Sequence, residues 1–372
     1  MEKNAQLAVV LALIIIAIFY LEQSKVPLQP HQQEISVANQ NGDVSQADSK
    51  RIESKKIRFA PGKEITTPDG FINTENITLA SLVGKKVALV DFWTYSCINC
   101  QRTIPYLNDW NAKYADKGLV IIGVHTPEFE FEKDYVNVKA AVEKFGIKYP
   151  VVLDNDFSTW NAYRNLYWPR KYLIDMDGFI VYDHIGEGGY DDTEREIQRT
   201  LKERMDVLKE NGTINEEVVK PQGTTIIGLP AIRSPETYFG YLRNSNFDGG
   251  KRGVAGIQTL DYPNRVSANR LYLSGTWDFN QEYAESTGGS KIIFRYQANN
   301  VYFVASADSP VKVKLTRDGE PLGEASGDDA KDSEVEIKDA RLYSLIKEKS
   351  WGEHTIVMDV PSGVRAFTFT FG

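Results

Sequence analysis

Two domains of different class, an α/β domain followed by an all-β sandwich, are what this 372-residue sequence predicts, behind an apolar N-terminal segment. Three observations carry that expectation. Between Ile57 and Glu210, apolar strand-like runs alternate with longer helix-like stretches, the pattern of a central sheet flanked by helices. From Pro230 to Gly372 the runs are short, alternating, and separated by Gly, Asp, Asn or Ser, the texture of an antiparallel sandwich or jelly roll. Ahead of both, residues 5–21 (AQLAVVLALIIIAIFYL) hold no Asp, Glu, Lys or Arg. As a helix they would reach about 25 Å, the short end of a membrane crossing.

Residues 1–21 are expected to be an uncleaved anchor, because Phe19, Tyr20, Leu21 and Glu22 stand where a signal peptide carries small residues. A cleaved secretory signal is the alternative. Glu2 and Lys3 on one flank against Glu22 and Lys25 on the other leave the orientation open. Residues 22–56 are rich in Gln, Ser, Asn and charge and poor in large apolar side chains, which predicts a flexible tether. In the domain at 57–210, strands are expected at KKVALVDFW, GLVIIGVH, PVVLD, RKYLID and GFIVYDHIG. Helices are expected at Cys97 to Tyr114, around Val138 to Phe145, and from Asp191 to Glu210, where Ile197, Leu201, Met205 and Leu208 recur at helical spacing. Residues 211–229 break into Gly, Pro and Thr and read as a second linker.

In the sandwich at 230–372, KIIFRYQ, NVYFVAS, PVKVKLTRDGEPLG, SEVEIKD, HTIVMDV and RAFTFTFG read as strands. The Asp-Gly in RDGEP signals a turn, and NNV and PSG mark other corners. Tyr238, Phe239, Tyr241, Trp277, Phe279 and Tyr283 could form an aromatic platform for a sugar or a protein, but in alternating strands such residues mostly fill the core.

Lys plus Arg number 43 against 51 for Asp plus Glu, a formal charge of -8, the wrong sign for neutralising phosphates. Nucleic acid is therefore not an expected partner. The two cysteines, Cys97 and Cys100, can build neither a disulfide scaffold nor a four-cysteine zinc site. In VDFWTYSCINCQRTIP, a buried-type strand runs into Cys97-Ile98-Asn99-Cys100 and then a helix. That placement sets the first sulfur beside the free N–H groups and positive end of the helix, where a thiolate is favoured. Cys97 is then the nucleophile of a mixed-disulfide exchange that Cys100 resolves. A static disulfide or half a metal site are the alternatives. A bridge over so short a loop constrains little, and a metal would need two more ligands from His31, His125, His184 and His354. No metal is expected, and no cofactor beyond a redox-active Cys97–Cys100 disulfide. The segment His125 to Glu132 follows the second strand at the end of the sheet where ligands bind. His125 is a candidate modulator of the cysteines, and Glu128 and Glu132 are weaker ones. The simpler reading is a solvated loop with a satisfied histidine.

Val90-Asp91-Phe92-Trp93, Cys97, Cys100 and Pro105 resemble the active-site segment of thioredoxin-like thiol-disulfide oxidoreductases of the TlpA/redoxin type. The resemblance implies that Asp91 lies buried beneath Cys100 and moves its proton, its pKa raised by desolvation. It implies that Pro105 interrupts the active-site helix and Trp93 walls the site. Trp168-Pro169, just before the strand Lys171 to Asp175, matches the position of a cis-proline that faces the cysteines, so Pro169 and Trp168 are expected to contact substrate. Ile98-Asn99 replaces the Gly-Pro of thioredoxin, so its redox potential does not carry over.

Residues 57–372 as a whole resemble the soluble C-terminal half of DipZ-type proteins, on FWTYSCINCQRTIPYLNDW, GVHTPEFEFE, WPRKYLIDMDG and a tail containing ETYFGYLRN, RLYSLI and FTFTFG. That resemblance implies a sandwich similar to carbohydrate-binding modules, with a possible glycan or protein ligand. Together with the expected anchor at 1–21 it points to a single-pass protein of the bacterial inner membrane with its domains on the periplasmic side. There it would exchange disulfides with envelope proteins as a reductant, as in cytochrome c biogenesis, fed by a membrane donor such as a CcdA-like protein. One apolar segment stands where DipZ has a multi-helix membrane domain. Two other readings are a peroxiredoxin-like peroxide reductase, for which Thr94 three residues before Cys97 speaks, and a carbohydrate- or cell-wall-binding protein with an accessory redox domain.

Overall fold

The computed structural model describes residues 46–222 and 234–372. The expected apolar helix at 1–21 and most of the tether lie outside the described residues, among which no helix is long and apolar enough to cross a membrane. The end of the expected tether is not extended chain: Gln46–Arg58 is a helix. Charge complementarity holds it in place of apolar burial. Lys55 Nζ lies 2.6 Å from Asp175, 2.7 Å from Asp177 and 2.5 Å from Glu203, and Arg51 makes two bonds of 2.9 Å to Asp177. Those three carboxylates are grouped closely enough to hold a cation, and the lysine ammonium supplies it.

The α/β domain is built on a six-stranded sheet of β1 (Gly70–Ile72), β2 (Val87–Trp93), β3 (Leu119–His125), β4 (Val151–Leu153), β5 (Arg170–Ile174) and β6 (Ile180–Ile185). The order is β1-β4-β3-β2-β5-β6. β2, β3 and β4 run parallel, and β1, β5 and β6 antiparallel to their neighbours. Every residue of central β2 is buried, as its near-continuous apolar run requires of a strand covered on both faces. Leu89 and Trp93 face one core with Leu107 and Trp110 of the helix Ile98–Tyr114 and Ile197 and Leu201 of the helix Tyr190–Leu208. Ala88, Val90 and Phe92 face the other, with Trp160, Tyr163 and Tyr172. Asp91 is the polar exception within β2 and shares the face of Leu89 and Trp93.

The first part of the expected second linker packs on this domain. Ile214 is buried, and the Val219 N–H donates at 2.7 Å to Glu194, which also accepts from Trp110 Nε1 at 3.1 Å, Tyr114 Oη at 2.6 Å and Lys113 Nζ at 2.9 Å. A polar stretch becomes structure because a buried carboxylate needs its donors. Residues 223–229 of that linker lie outside the described residues.

The C-terminal domain forms one eleven-stranded sheet rather than six short strands. Asn299 to Val301, expected as a corner, is a pair of register irregularities inside one strand of 18 residues, Ser290–Ala307. That strand pairs along its length with a strand of 20 residues, Arg341–Val360. Its first half also pairs with Leu271–Phe279 and its second half with Val364–Phe371. Through Ala284–Ser286 the pairing then closes on itself around a core that includes Phe294, Phe303 and Phe369. The Asp-Gly turn forms as its sequence directs: Asp318 and Gly319 both have positive φ, the requirement of a tight hairpin turn. Phe239, Trp277 and Phe279 are core, while Tyr238 and Tyr283 lie in the seam between the two domains.

Candidate active site

Strand β2 delivers the chain through the buried turn Thr94-Tyr95-Ser96 to Cys97, which caps the helix Ile98–Tyr114. Cys97 Sγ accepts the Cys100 N–H at 3.3 Å, and the Cys97 carbonyl accepts Gln101 N–H at 3.0 Å. A sulfur in the capping position faces the positive end of the helix, where negative charge is favoured. Both cysteines are thiols, and they differ in surroundings. Cys97 is partly exposed, whereas Cys100 is 1% exposed, and burial followed by the neighbouring Cys97 pushes its thiol well above the ordinary range. Pro105 lies within the helix.

Asp91 is buried on the same face. Burial raises its pKa to about 7, against the pull of the Lys171 charge. Lys171, absent from the candidates above, is paired in register with Asp91 across β2 and β5. Its side chain is completely buried, and Nζ donates to the Gly186 carbonyl at 3.3 Å. Burial lowers its pKa, while Asp91 and Cys100 act to raise it. The available signal was a lysine inside an otherwise apolar strand directly after Trp168-Pro169-Arg170. Asp91 Oδ1, Trp93 Nε1 and Tyr149 Oη are buried with no hydrogen-bond partner among the described residues. Gly123, the register partner of Asp91 on β3, leaves room between the other two: an added Cβ would stand 3.0 Å from Trp93 Nε1 and 3.1 Å from the Tyr149 ring. Unmet polar atoms of this kind cost roughly 1–3 kcal/mol each unless water meets them.

The Trp168–Pro169 peptide is cis. The Trp168 indole donates to the Thr126 carbonyl at 3.0 Å, lies 4.2 Å from the Trp160 ring, and packs against the same apolar cluster as Cys97. The Pro169 carbonyl accepts the Gly186 N–H at 2.8 Å.

The segment His125 to Glu132 is not a solvated loop. His125 is fully buried, and burial lowers its pKa to about 3, so the ring is neutral. Its Nε2 accepts the Tyr95 N–H at 3.3 Å with Thr94 Oγ1 at 3.5 Å, and the ring stacks on Tyr95. That assigns the single N–H proton of the neutral ring to Nδ1. His125 and Thr94 thus prop the turn ahead of Cys97. Glu132 is also fully buried. It accepts Ser96 Oγ at 2.6 Å and Ser96 N–H at 3.2 Å on one oxygen, and Glu128 N–H at 2.6 Å and Phe129 N–H at 3.0 Å on the other. Burial and the Glu128 charge raise it to about 7. Glu128 in turn accepts Tyr238 Oη at 2.7 Å and Arg243 at 2.8 Å from the C-terminal domain. A polar run is buried here because the surface covering it comes from the other domain.

A mixed sheet with a Cys-x-x-Cys pair at a helix N-terminus, a buried aspartate near Cys100 and a cis-proline just ahead of β5 define a thioredoxin-like redox protein carrying a second, β-rich domain. Residues 60–183 match the AhpC/TSA family, and residues 234–372 match a family described as thioredoxin like C-terminal domain. The sequence is 31% identical to the thiol-disulfide oxidoreductase YkuV of Bacillus subtilis over 143 residues, 38% of this chain and 95% of YkuV. It is 32% identical to the thiol-disulfide oxidoreductase ResA of Bacillus thuringiensis over 156 residues, 42% of this chain and 81% of ResA. Over 339 residues, 90% of the chain, it is 36% identical to protein DipZ of Mycobacterium bovis and of Mycobacterium tuberculosis, covering 46% of each. The chain therefore spans about half the length of DipZ. It belongs to the thioredoxin-like thiol-disulfide oxidoreductases.

Proposed function

We propose that this protein exchanges disulfides with protein substrates through Cys97 and Cys100, and that it does so as a reductant. The observation that carries the reading is the asymmetry of the pair: a partly exposed sulfur capping a helix, and a buried one beside Asp91. The Cys97 thiolate attacks one sulfur of a substrate disulfide, forming a mixed disulfide and expelling the other sulfur as a thiolate. Asp91 takes the proton of Cys100, whose sulfur then attacks Cys97 Sγ. The Cys97–Cys100 disulfide forms and the second substrate thiol leaves, so two electrons pass from the pair to the substrate. Trp168 and Pro169 contact the incoming chain, Trp93 closes the floor, and no cofactor beyond the redox disulfide takes part.

In this reading the apolar segment at 1–21 tethers the protein to the bacterial inner membrane with both domains on the periplasmic side. A CcdA-like membrane protein returns the electrons, and apocytochrome or other envelope proteins are the substrates. Similarity to DipZ across both domains supports this placement. In the same reading the β-rich domain is a jelly roll similar to carbohydrate-binding modules, although most of the aromatic residues offered as a glycan platform are taken by its core or by the seam.

The test is a titration of the reduced protein against glutathione and dithiothreitol buffers, followed by tryptophan fluorescence. A potential near roughly -270 mV supports a reductant, and one near roughly -120 mV reverses the direction. Absence of an intramolecular disulfide at every potential overturns the mechanism. The AhpC/TSA match and Thr94 favour peroxide reduction as a second reading, which requires peroxide consumption that is lost in Cys97→Ser.

A further inference from the structure

Ile98, between the two cysteines, is 8% exposed and shares one apolar cluster with Phe129 and Phe131 of its own domain and with Val304, Leu342 and Phe367 of the other. The contacts surround the thiol site. Tyr95 Oη donates to the Ala340 carbonyl at 3.1 Å. Arg102, one turn into the helix, donates to Tyr302 Oη at 3.3 Å and lies 5.4 Å over its ring. Phe129 and Phe131 meet Phe367 at 5.2 and 4.8 Å between ring centres, and the Glu130 N–H donates to Glu282 at 2.9 Å.

We propose that the β-rich domain is a wall of the thiol site that selects substrates by shape, with Val304, Leu342 and Phe367, buried in the seam, as the positioning residues that hold it there. A flat protein surface seated over Cys97 needs room on the Ile98 side, and the wall occupies it. The approach that remains is from the side of the half-buried Trp168 and the buried Pro169, near which Leu166, Tyr167 and Ile185 are 73%, 46% and 50% exposed. The substrates that fit carry their cysteine in an unfolded or flexible segment that can be threaded in extended form, not on the face of a folded domain. The proposal rests on Cys97 being the thiol that meets substrate.

Leu342 belongs to the seam and not to the core of its own domain, so Leu342→Asp prises the seam without emptying that core. Tyr302→Ala is the milder variant at the rim. In the full-length reduced protein, Cys97 is alkylated with iodoacetamide and with a maleimide carried on a long polyethylene glycol chain, each rate being divided by that for free cysteine. The bulky reagent is expected to be disfavoured in the parent protein. Its relative rate should recover about tenfold in Leu342→Asp and about two- to threefold in Tyr302→Ala. Reduction of a folded protein disulfide relative to a small aromatic disulfide should rise in parallel. Equal relative rates for the two reagents in the parent protein overturn the proposal. So does an unchanged ratio in Leu342→Asp with native near-ultraviolet circular dichroism or, should that variant not fold, an unchanged ratio in Tyr302→Ala. Alkylation requires no redox turnover, so shifted ratios without disulfide reductase activity sink the oxidoreductase reading separately.

Discussion

Asp91 concentrates the chemistry at the scale of single residues. With its pKa raised from 3.8 to about 7, the folded protein holds a proton that the unfolded chain releases. Stability therefore falls as pH rises from about 4 through about 7. Asp91→Asn should lift that penalty, becoming more stable than the parent by up to a few kcal/mol at pH 8 and losing the advantage near pH 4, as urea unfolding at the two pH values will show. The same variant should resolve its mixed disulfide at least about tenfold more slowly near neutral pH. Lys171→Met removes the charge that holds Asp91 down, so the apparent pKa of resolution, a property of the coupled Asp91–Cys100 pair, should move upward by about one unit in a pH-rate profile. The cysteine pair was legible from its spacing, and the buried Asp91 and the cis Trp168–Pro169 peptide through the family resemblance. Lys171 was not, since its importance depends on the register that sets β5 against β2.

At the scale of elements, the helix Gln46–Arg58 and the long strands mark where pattern reading stops. Composition read residues 46–56 as tether because Ile52 is their one large apolar side chain, yet Lys55 and Arg51 match carboxylates that are more than a hundred residues away in sequence. Lys55→Met should leave Asp175 buried without its cation and Asp177 with Arg51 alone, and destabilise the protein by about 3 kcal/mol in urea unfolding. Amide exchange across residues 46–58 should quicken with it. The Asn-Asn dipeptide at 299–300 misled for a different reason: a bulge and a turn draw on the same residue types. Partner strands long enough to continue on both sides decide between them.

The seam governs behaviour at the scale of the whole molecule. Because Phe129, Phe131 and Ile98 on one domain share a cluster with Phe367, Val304 and Leu342 on the other, the two domains should melt in a single calorimetric transition. Leu342→Asp should split it into two. None of this was legible beforehand. The segment His125 to Glu132 looks solvated when its own domain is considered alone, and Tyr238 and Tyr283 look like sandwich core or platform when theirs is. Only the docked pair shows that each set completes the other.

The position of Ile98 also limits how the protein can be retuned. In a free-standing redox domain the dipeptide between the cysteines can be exchanged with effects confined to the sulfur chemistry. Here the same side chain is a packing residue for a second domain. An engineer who replaces Ile98-Asn99 to shift the redox potential also loosens the joint between the domains, and one who redesigns the β-rich surface disturbs the loop between the sulfurs. The two domains can be transplanted or optimised only together, as one inherited part.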